Sequence, residues 1–255
     1  MKKRTAAGAV LSIAALLLLW QIAALGLDRY FLPAPLETVH TLKNLLREAK
    51  TWSHVAASFR RITLGMLLGL LCALPLGILM GRAPAADAVL GSFFRLVYPI
   101  PKVVFMPIVV VMLGIGDGSK IFLIFLAVLF QITIIIRDST ASLDPVLSDV
   151  MRSMKAGPVF TLVHLILPGI LPGILTALKA TLGTSVALLM ITELFASTSG
   201  LGYFIMNSMD ARKYPEMYSG ILLLMAMSAL IYVFLEILEK ALCRWRYGAR
   251  DADPQ

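Results

Sequence analysis

Charge is scarce in this sequence. Asp, Glu, Lys and Arg make up 15% of its 255 residues, against 59% apolar residues, where soluble domains carry about 25% charged residues. That balance excludes a water-soluble globule. Cysteine is almost missing: Cys72 lies inside an apolar block and Cys243 near the C-terminus, a pair that forms neither a disulfide framework nor a zinc pattern. The three histidines, His40, His54 and His164, show no metal-ligand spacing, and no H-E-x-x-H occurs. No G-x-x-x-x-G-K run followed by Ser or Thr is present, so the chain has no P-loop for ATP. A G-x-S-x-G elbow is absent too, which argues against a Ser nucleophile. Net charge is +8, yet Lys and Arg sit between apolar blocks rather than in a basic stripe. That distribution fits anionic lipid headgroups and not nucleic acid.

What the sequence has instead is long apolar runs. A helix crosses the hydrocarbon core of a bilayer in about 20 mainly apolar residues. Six stretches qualify: 8–27, 62–81, 88–113, 119–136, 170–197 and 217–240. The expected fold class is therefore all-α, a polytopic membrane protein of about six transmembrane helices. The first run follows Met1-Lys2-Lys3-Arg4 and continues through Trp20 without a clear A-x-A site, which favours a retained helix over a cleaved signal peptide. With the N-terminus inside, twelve Lys and Arg fall in the inner segments and eight in the outer ones, Arg60 and Arg61 among them. Both termini are basic, and an even span count puts both in the cytoplasm. Pro75, Gly77, Pro99, Pro101, Pro107, Pro168 and Pro172 punctuate the runs. Such breaks survive in lipid where neighbouring helices or a wet cavity satisfy the freed backbone groups. Kinked packing is the plainer explanation of any one of them, and their number points to a bundle that surrounds something or moves. No internal repeat is visible, which weighs against a secondary transporter built from repeated halves.

The most informative loop lies between the fourth and fifth runs. Asp144-Pro145 opens it, Gly157-Pro158 divides it, and Pro168 closes it. Leu147, Val150, Met151 and Met154 recur at three- and four-residue steps and share one face of a short helix. Asp149, Arg152 and Lys155 take the other side. Gly157 interrupts the helix, and Pro158 suits the first position of a second one. Periodicity alone leaves two uses open, an amphipathic helix lying on headgroups or a docking surface for a cytoplasmic partner.

Asp149-Val150-Met151, followed by Leu165-x-Leu167-Pro168, resembles the EAA loop of ABC-transporter permeases. Its pattern is EAA, three residues, G, nine residues, then I-x-L-P. Lys155 stands at the glycine, and the nearest glycine is Gly157, leaving the turn between the two short helices open to a shift. Leu32-Pro33-Ala34-Pro35 with Val39, His54 to Arg61 running into Gly65 and Gly69, and Pro75 to Gly81 are similar to the sulfonate/nitrate/taurine group of these permeases. So are Ile100-Pro101 through Pro107, Leu113 to Ile121, and Ser199-Gly200-Leu201-Gly202-Tyr203. The resemblance covers residues 30 to 245, in order.

It implies a type I importer permease of the bacterial inner membrane, a transport subunit rather than an enzyme. Residues 1–29 would be an N-terminal transmembrane helix, 30–57 a periplasmic segment, 58–245 the permease core and 246–255 a cytoplasmic tail. The loop 144–168, through Leu147, Asp149, Val150, Met151, Met154, Lys155, Ala156, Gly157, Pro158 and Pro168, would couple to a separate ATPase. The implied partners are two cytoplasmic ATP-binding subunits that hold ATP and Mg, a periplasmic solute-binding protein and a second permease chain, a homodimer being expected. This chain itself would bind no cofactor and no metal. The substrate would be a small anion or small organic solute.

Ionisable residues inside the apolar runs are functional candidates by default. Lys102, Lys179 and Glu193 are the candidates for the pathway. Snorkelling or a carbonyl contact is the alternative for the two lysines, and Glu193 could pair with one of them. An ion-coupled secondary transporter would need such a pair as its coupling site. A membrane enzyme would need a catalytic cluster, and none is visible.

Overall fold

The computed structural model describes residues 2–26, 31–195 and 197–245. The basic side chains at 2–4 and the tail 246–255 lie outside the described residues. In chain order the helices are α1 (Lys2–Gly26), α2 (Pro35–Leu45), α3 (Ala49–Arg82), α4 (Pro84–Ala86), α5 (Ser92–Val97), α6 (Met106–Leu113), α7 (Asp117–Ala141), α8 (Pro145–Ser153), α9 (Pro158–Thr161), α10 (Leu167–Phe195), α11 (Leu201–Asp210) and α12 (Tyr214–Leu242). Two π-turns, Asp87–Gly91 and Leu162–Ile166, and a 3-10 turn, Lys102–Phe105, lie between them. Among the described residues there is no strand. Four helical runs, Ala49–Arg82, Asp117–Ala141, Pro158–Phe195 and Tyr214–Leu242, are long and apolar enough to cross a bilayer, and Leu11–Gly26 is a shorter apolar helix.

Three expectations need correcting. The second apolar run belongs to a helix that begins at Ala49, thirteen residues before 62. Its 34 residues extend about 51 Å, well beyond a 30 Å hydrocarbon core. The third run, 88–113, is broken: Pro84–Val97 and Lys102–Leu113 meet at 83°, because Pro99 and Pro101 deny the backbone two donors in three residues. The second short helix of the 144–168 loop is not separate, since Pro158–Phe195 runs on as one helical stretch. The π-turn sits just ahead of Pro168, where the wider ring accommodates a proline that would otherwise clash with the preceding turn.

The chain divides into two compact units. Unit 1 comprises Met1–Ser58 and Thr198–Ala226. In it the Trp20 indole donates to Pro33 O (3.2 Å) and packs near Tyr218, and the Ser219 hydroxyl lies 3.1 Å from Thr38 O. His54 and Ser58, one turn apart on α3, cap α11: Gly200 N–H donates to His54 Nδ1 (3.1 Å) and Leu201 N–H to Ser58 Oγ (2.8 Å). Gly200 enters that cap at φ 110° and ψ 163°, a region open essentially to glycine alone.

Unit 2 comprises Phe59–Ser197 and Met227–Gln255. Its core is a seam between α3 and α7. A Cβ added at Gly65, Gly69, Gly77 or Gly81 would stand 2.6 Å from Ile124, Val128, Ile136 or Thr140, respectively. Ala73 continues the stripe at the same four-residue step and is fully buried, as is Ile132 on α7. Small residues on one helix therefore receive β-branched side chains of the other at backbone contact, the way helices pack where lipid supplies no hydrophobic drive.

Candidate functional site

Unit 2 places polar groups at three levels along α7. At the 117 end, Arg61 is buried and forms an ion pair with fully buried Glu193 of α10 (2.6 Å) and with Asp117 of α7 (2.6 Å). Arg60 pairs with the same Asp117. The Lys120 ammonium donates to Ile115 O (2.6 Å) and Gly116 O (3.0 Å), tying down the glycine turn between α6 and α7. One guanidinium thus joins α3, α7 and α10. Removing one member of a buried pair costs about 3–5 kcal/mol, because the other charge is left uncompensated.

At the 141 end, Arg137 grips Asp87 side-on, Nε to Oδ1 at 2.9 Å and Nη2 to Oδ2 at 2.5 Å. Such a fork-to-fork pair fixes orientation as well as distance. Arg82 Nη1 donates to Ser148 Oγ (3.1 Å), so the end of α3 touches α8. A Cβ at Gly169 would stand 2.6 Å from Leu143 Cδ2, and one at Gly173 2.6 Å from Ser139 Oγ. Helix α10 therefore presses on the segment that leads into α8.

Helix α8 itself is short and largely uncovered. Asp144 caps it, accepting from Val146 N–H at 2.9 Å, and Pro145 takes its first position. Leu147, Val150 and Met154 are exposed, Met151 is half-buried, and Asp149 and Arg152 are exposed on the other side, 3.7 Å apart. Lys155 adopts φ 52°. Lys155 N–H donates to Arg152 O (2.9 Å) and Ala156 N–H to Met151 O (2.9 Å), the paired bonds of a Schellman cap. The turn therefore stays at Lys155. Gly157 is extended at φ −69° and ψ 164°, and Pro158 starts α9. Val159, Phe160 and Val163 add further exposed apolar surface, with His164 stacked on Phe160 at 4.0 Å. Pro168 lies at the start of α10, half-buried.

The middle level is a cleft of about 400 Å³, lined among others by Tyr98, Lys102, Phe130, Gln131, Thr184 and Ile191. The Lys102 ammonium donates to Val97 O (2.6 Å) and Ile100 O (3.0 Å), carbonyls left open where α5 ends. It also lies 4.5 Å above the Phe130 ring. Thr184 Oγ1 lies 3.1 Å from Gln131 Oε1.

Of the three charged candidates, only Lys102 lies at this cleft. Lys179 is 2.5 Å from Glu239, and Glu193 pairs with Arg61. Arg61 and Asp117 were missed. Arg61 reads as a loop charge because hydropathy falls before it, although Thr51, His54, Ser58, Arg61 and Ile62 are all buried at helical spacing. That face is polar and buried, a combination hydropathy does not register.

The family model described as "binding-protein-dependent transport system inner membrane component" matches residues 65–245. The chain belongs to that family. The taurine transport system permease protein TauC of Escherichia coli is 32% identical over 232 residues, covering 89% of this chain and 84% of that protein. A protein of Bacillus subtilis named as an aliphatic sulfonates transport permease, SsuC, is 30% identical over 235 residues, covering 91% and 85%. The fold is shared with solved transporters. An inward-facing form of the MetNI methionine ABC transporter superposes with a TM-score of 0.65 at 20% identity, over 76% of this chain and 98% of that one. A bacterial alginate ABC transporter, solved with an alginate-bound periplasmic protein, gives 0.64 at 13% identity over 95% and 97%. The chain is thus the permease component of a binding-protein-dependent ABC importer, a transport subunit in a multi-pass membrane setting.

Proposed function

We propose that this importer takes up small organic sulfonates, taurine and aliphatic sulfonates among them. The chain would pair with a second copy of itself, with two ATPase subunits on the cytoplasmic side and a solute-binding protein outside. The observation that carries the substrate class is the 30–32% identity to the taurine and sulfonate permeases along most of both chains. ATP and Mg belong to the partner ATPase in this reading. Six spans with both termini cytoplasmic put the 141 end of α7 and helix α8 on the ATPase side, and the Arg61 cluster on the outer side.

Loop 144–168 is the coupling element. Its exposed Leu147, Val150 and Met154, extended by Val159 and Phe160, supply the apolar side chains that a groove on the ATPase would cover. Burying one such side chain in a groove of the ATPase is worth about 1.5–3 kcal/mol. The Schellman cap at Lys155 and the Arg82–Ser148 contact hold α8 in place, so motion of the ATPase reaches α3 and α7.

The test is Val150→Asp in the chain co-expressed with the ATPase encoded beside it. A charge forced into an apolar groove costs more than the lost burial. The expected result is normal membrane insertion with loss of the co-purifying ATPase, while Arg152→Ala keeps it. Unchanged assembly and unchanged coupled uptake in Val150→Asp would overturn the coupling surface.

A further inference from the structure

Among the described residues the charge in the middle cleft has no counter-charge. Lys102 is buried, and among the described residues no carboxylate forms an ion pair with it. Its two short bonds go to Val97 O and Ile100 O, while the third contact, to Tyr98 O, is long at 3.4 Å. One N–H is therefore weakly held. The Thr184 hydroxyl donates its one proton to Thr181 O (2.8 Å), so the Gln131 amide, 3.1 Å from Thr184 Oγ1, gives one N–H to that hydroxyl and keeps the other for the cleft. Gln131 lies 14 residues after Asp117 on α7, about 21 Å along the helix axis. The cleft is thus deep in the bilayer rather than at its surface. It is built at a broken helix, the kind of non-helical backbone tolerated at membrane depth only when it is buried in protein or lines a wet cavity.

We propose that this cleft is a transit site for a small organic anion. The anionic group sits against the Lys102 ammonium and the Gln131 amide, and the carbon chain lies against Phe130 and Ile191. The ammonium does two jobs with different hydrogens. Two of them hold the orphan carbonyls at the end of α5, where a cation also meets the negative end of that short helix. The third, with the uncompensated charge, meets the solute. A site with one cation and one adaptable amide binds weakly enough to release its anion, as a pathway requires. The assignment rests on the importer reading given above and adds the place and chemistry of passage.

The experiment is charge-selective thiol labelling of the full chain in membranes. Cys72 and Cys243 are replaced by Ala, and Ala187→Cys supplies a thiol in the cleft wall. Two probes are compared, sulfonatoethyl methanethiosulfonate and its trimethylammonium-ethyl counterpart, each normalised to its rate with a free thiol. The anionic probe is expected to react about tenfold faster than the cationic one, the scale on which a charged cleft concentrates a counter-ion. Lys102→Gln abolishes that preference and Lys102→Arg restores it. Millimolar taurine slows the anionic probe, and Gln131→Leu, which leaves the α5 carbonyls capped, weakens that protection. Equal normalised rates of the two probes with Lys102 intact, or a preference that survives Lys102→Gln, would overturn the proposal. ATP-driven uptake separates this site from the importer reading. ATP-driven uptake that continues at the full wild-type rate in both Lys102→Gln and Gln131→Leu sinks the site and leaves the importer standing. Charge-selective labelling without any ATP-driven taurine uptake sinks the proposed substrate class and leaves an anion site.

Discussion

Gly77 gives the sharpest test of the α3–α7 seam. A Cβ there would lie 2.6 Å from Ile136 Cβ, 2.7 Å from Ile136 Cγ2 and 2.9 Å from Thr133 O. Ile136 is fully buried and β-branched, so rotation about χ1 offers little relief. Thr133 O is backbone and cannot turn away. The two helices must therefore part by roughly 1 Å, and a gap of that size forfeits a quarter to a half of each dispersion contact. Because Gly65, Gly69, Ala73 and Gly81 share the seam, the loss spreads along its length. Overpacking costs about 1–3 kcal/mol, and the gain from replacing glycine by alanine in a helix returns only about 0.5–1 kcal/mol. Gly77→Ala should be destabilising by about 1–2 kcal/mol on that balance. Gly183 is the control: it lies in α10 with nothing within 4 Å of its Cβ position, so Gly183→Ala should be stabilising by about 0.5–1 kcal/mol. Thermal unfolding in detergent can be followed by a thiol-reactive dye at Cys243, which is fully buried, after Cys72 is replaced by Ser. Equal or lower stability of Gly183→Ala than of Gly77→Ala would refute the argument from the seam.

Other expectations follow from the ion pairs and the loop. Arg61→Met leaves Glu193 buried without its guanidinium and should destabilise by about 3–5 kcal/mol, whereas Arg61→Met with Glu193→Met should recover most of that loss; the same dye assay reads both, and a double variant no better than the single would sink the pairing. Lys155→Gly relieves a left-handed residue and should stabilise the α8 turn by about 0.5–1 kcal/mol, seen as slower exchange of the Ala156 amide, while Lys155→Val should speed it. Asp87→Asn removes the charge from the grip of Arg137, and faster amide exchange through residues 87–91 is the expected mark; exchange equal to wild type would remove any role for the pair in holding that turn.

Much of the fold is readable from hydropathy, because a spanning helix must be apolar over its whole length and its ends are marked by polar turns. The runs at 119–136 and 217–240 lie within α7 and α12, and Asp144, Pro145 and Pro158 open their helices by local chemistry alone. What stays hidden is set by partners distant in sequence. Arg61 and Glu193 are 132 residues apart, and nothing near either one announces the other. Pro99 and Pro101 mark a break, but its 83° angle depends on the packing around it. Lys155 runs against the local preference for glycine at φ 52°, so its turn is held by the bonds to Met151 and Arg152 and not by its side chain. Lys102 is visible as an unusual charge, but the carbonyls that hold it and the glutamine opposite it are not.

The account stands most directly on uptake in proteoliposomes. The chain, the ATPase subunits and the solute-binding protein encoded beside it are purified as one complex, and labelled taurine is supplied with ATP enclosed on the ATPase side. Accumulation should require ATP, the binding protein and an intact Val150 surface, and a dissipated proton gradient should leave it unchanged. Accumulation by this chain alone, driven by an ion gradient without ATP, would contradict the account.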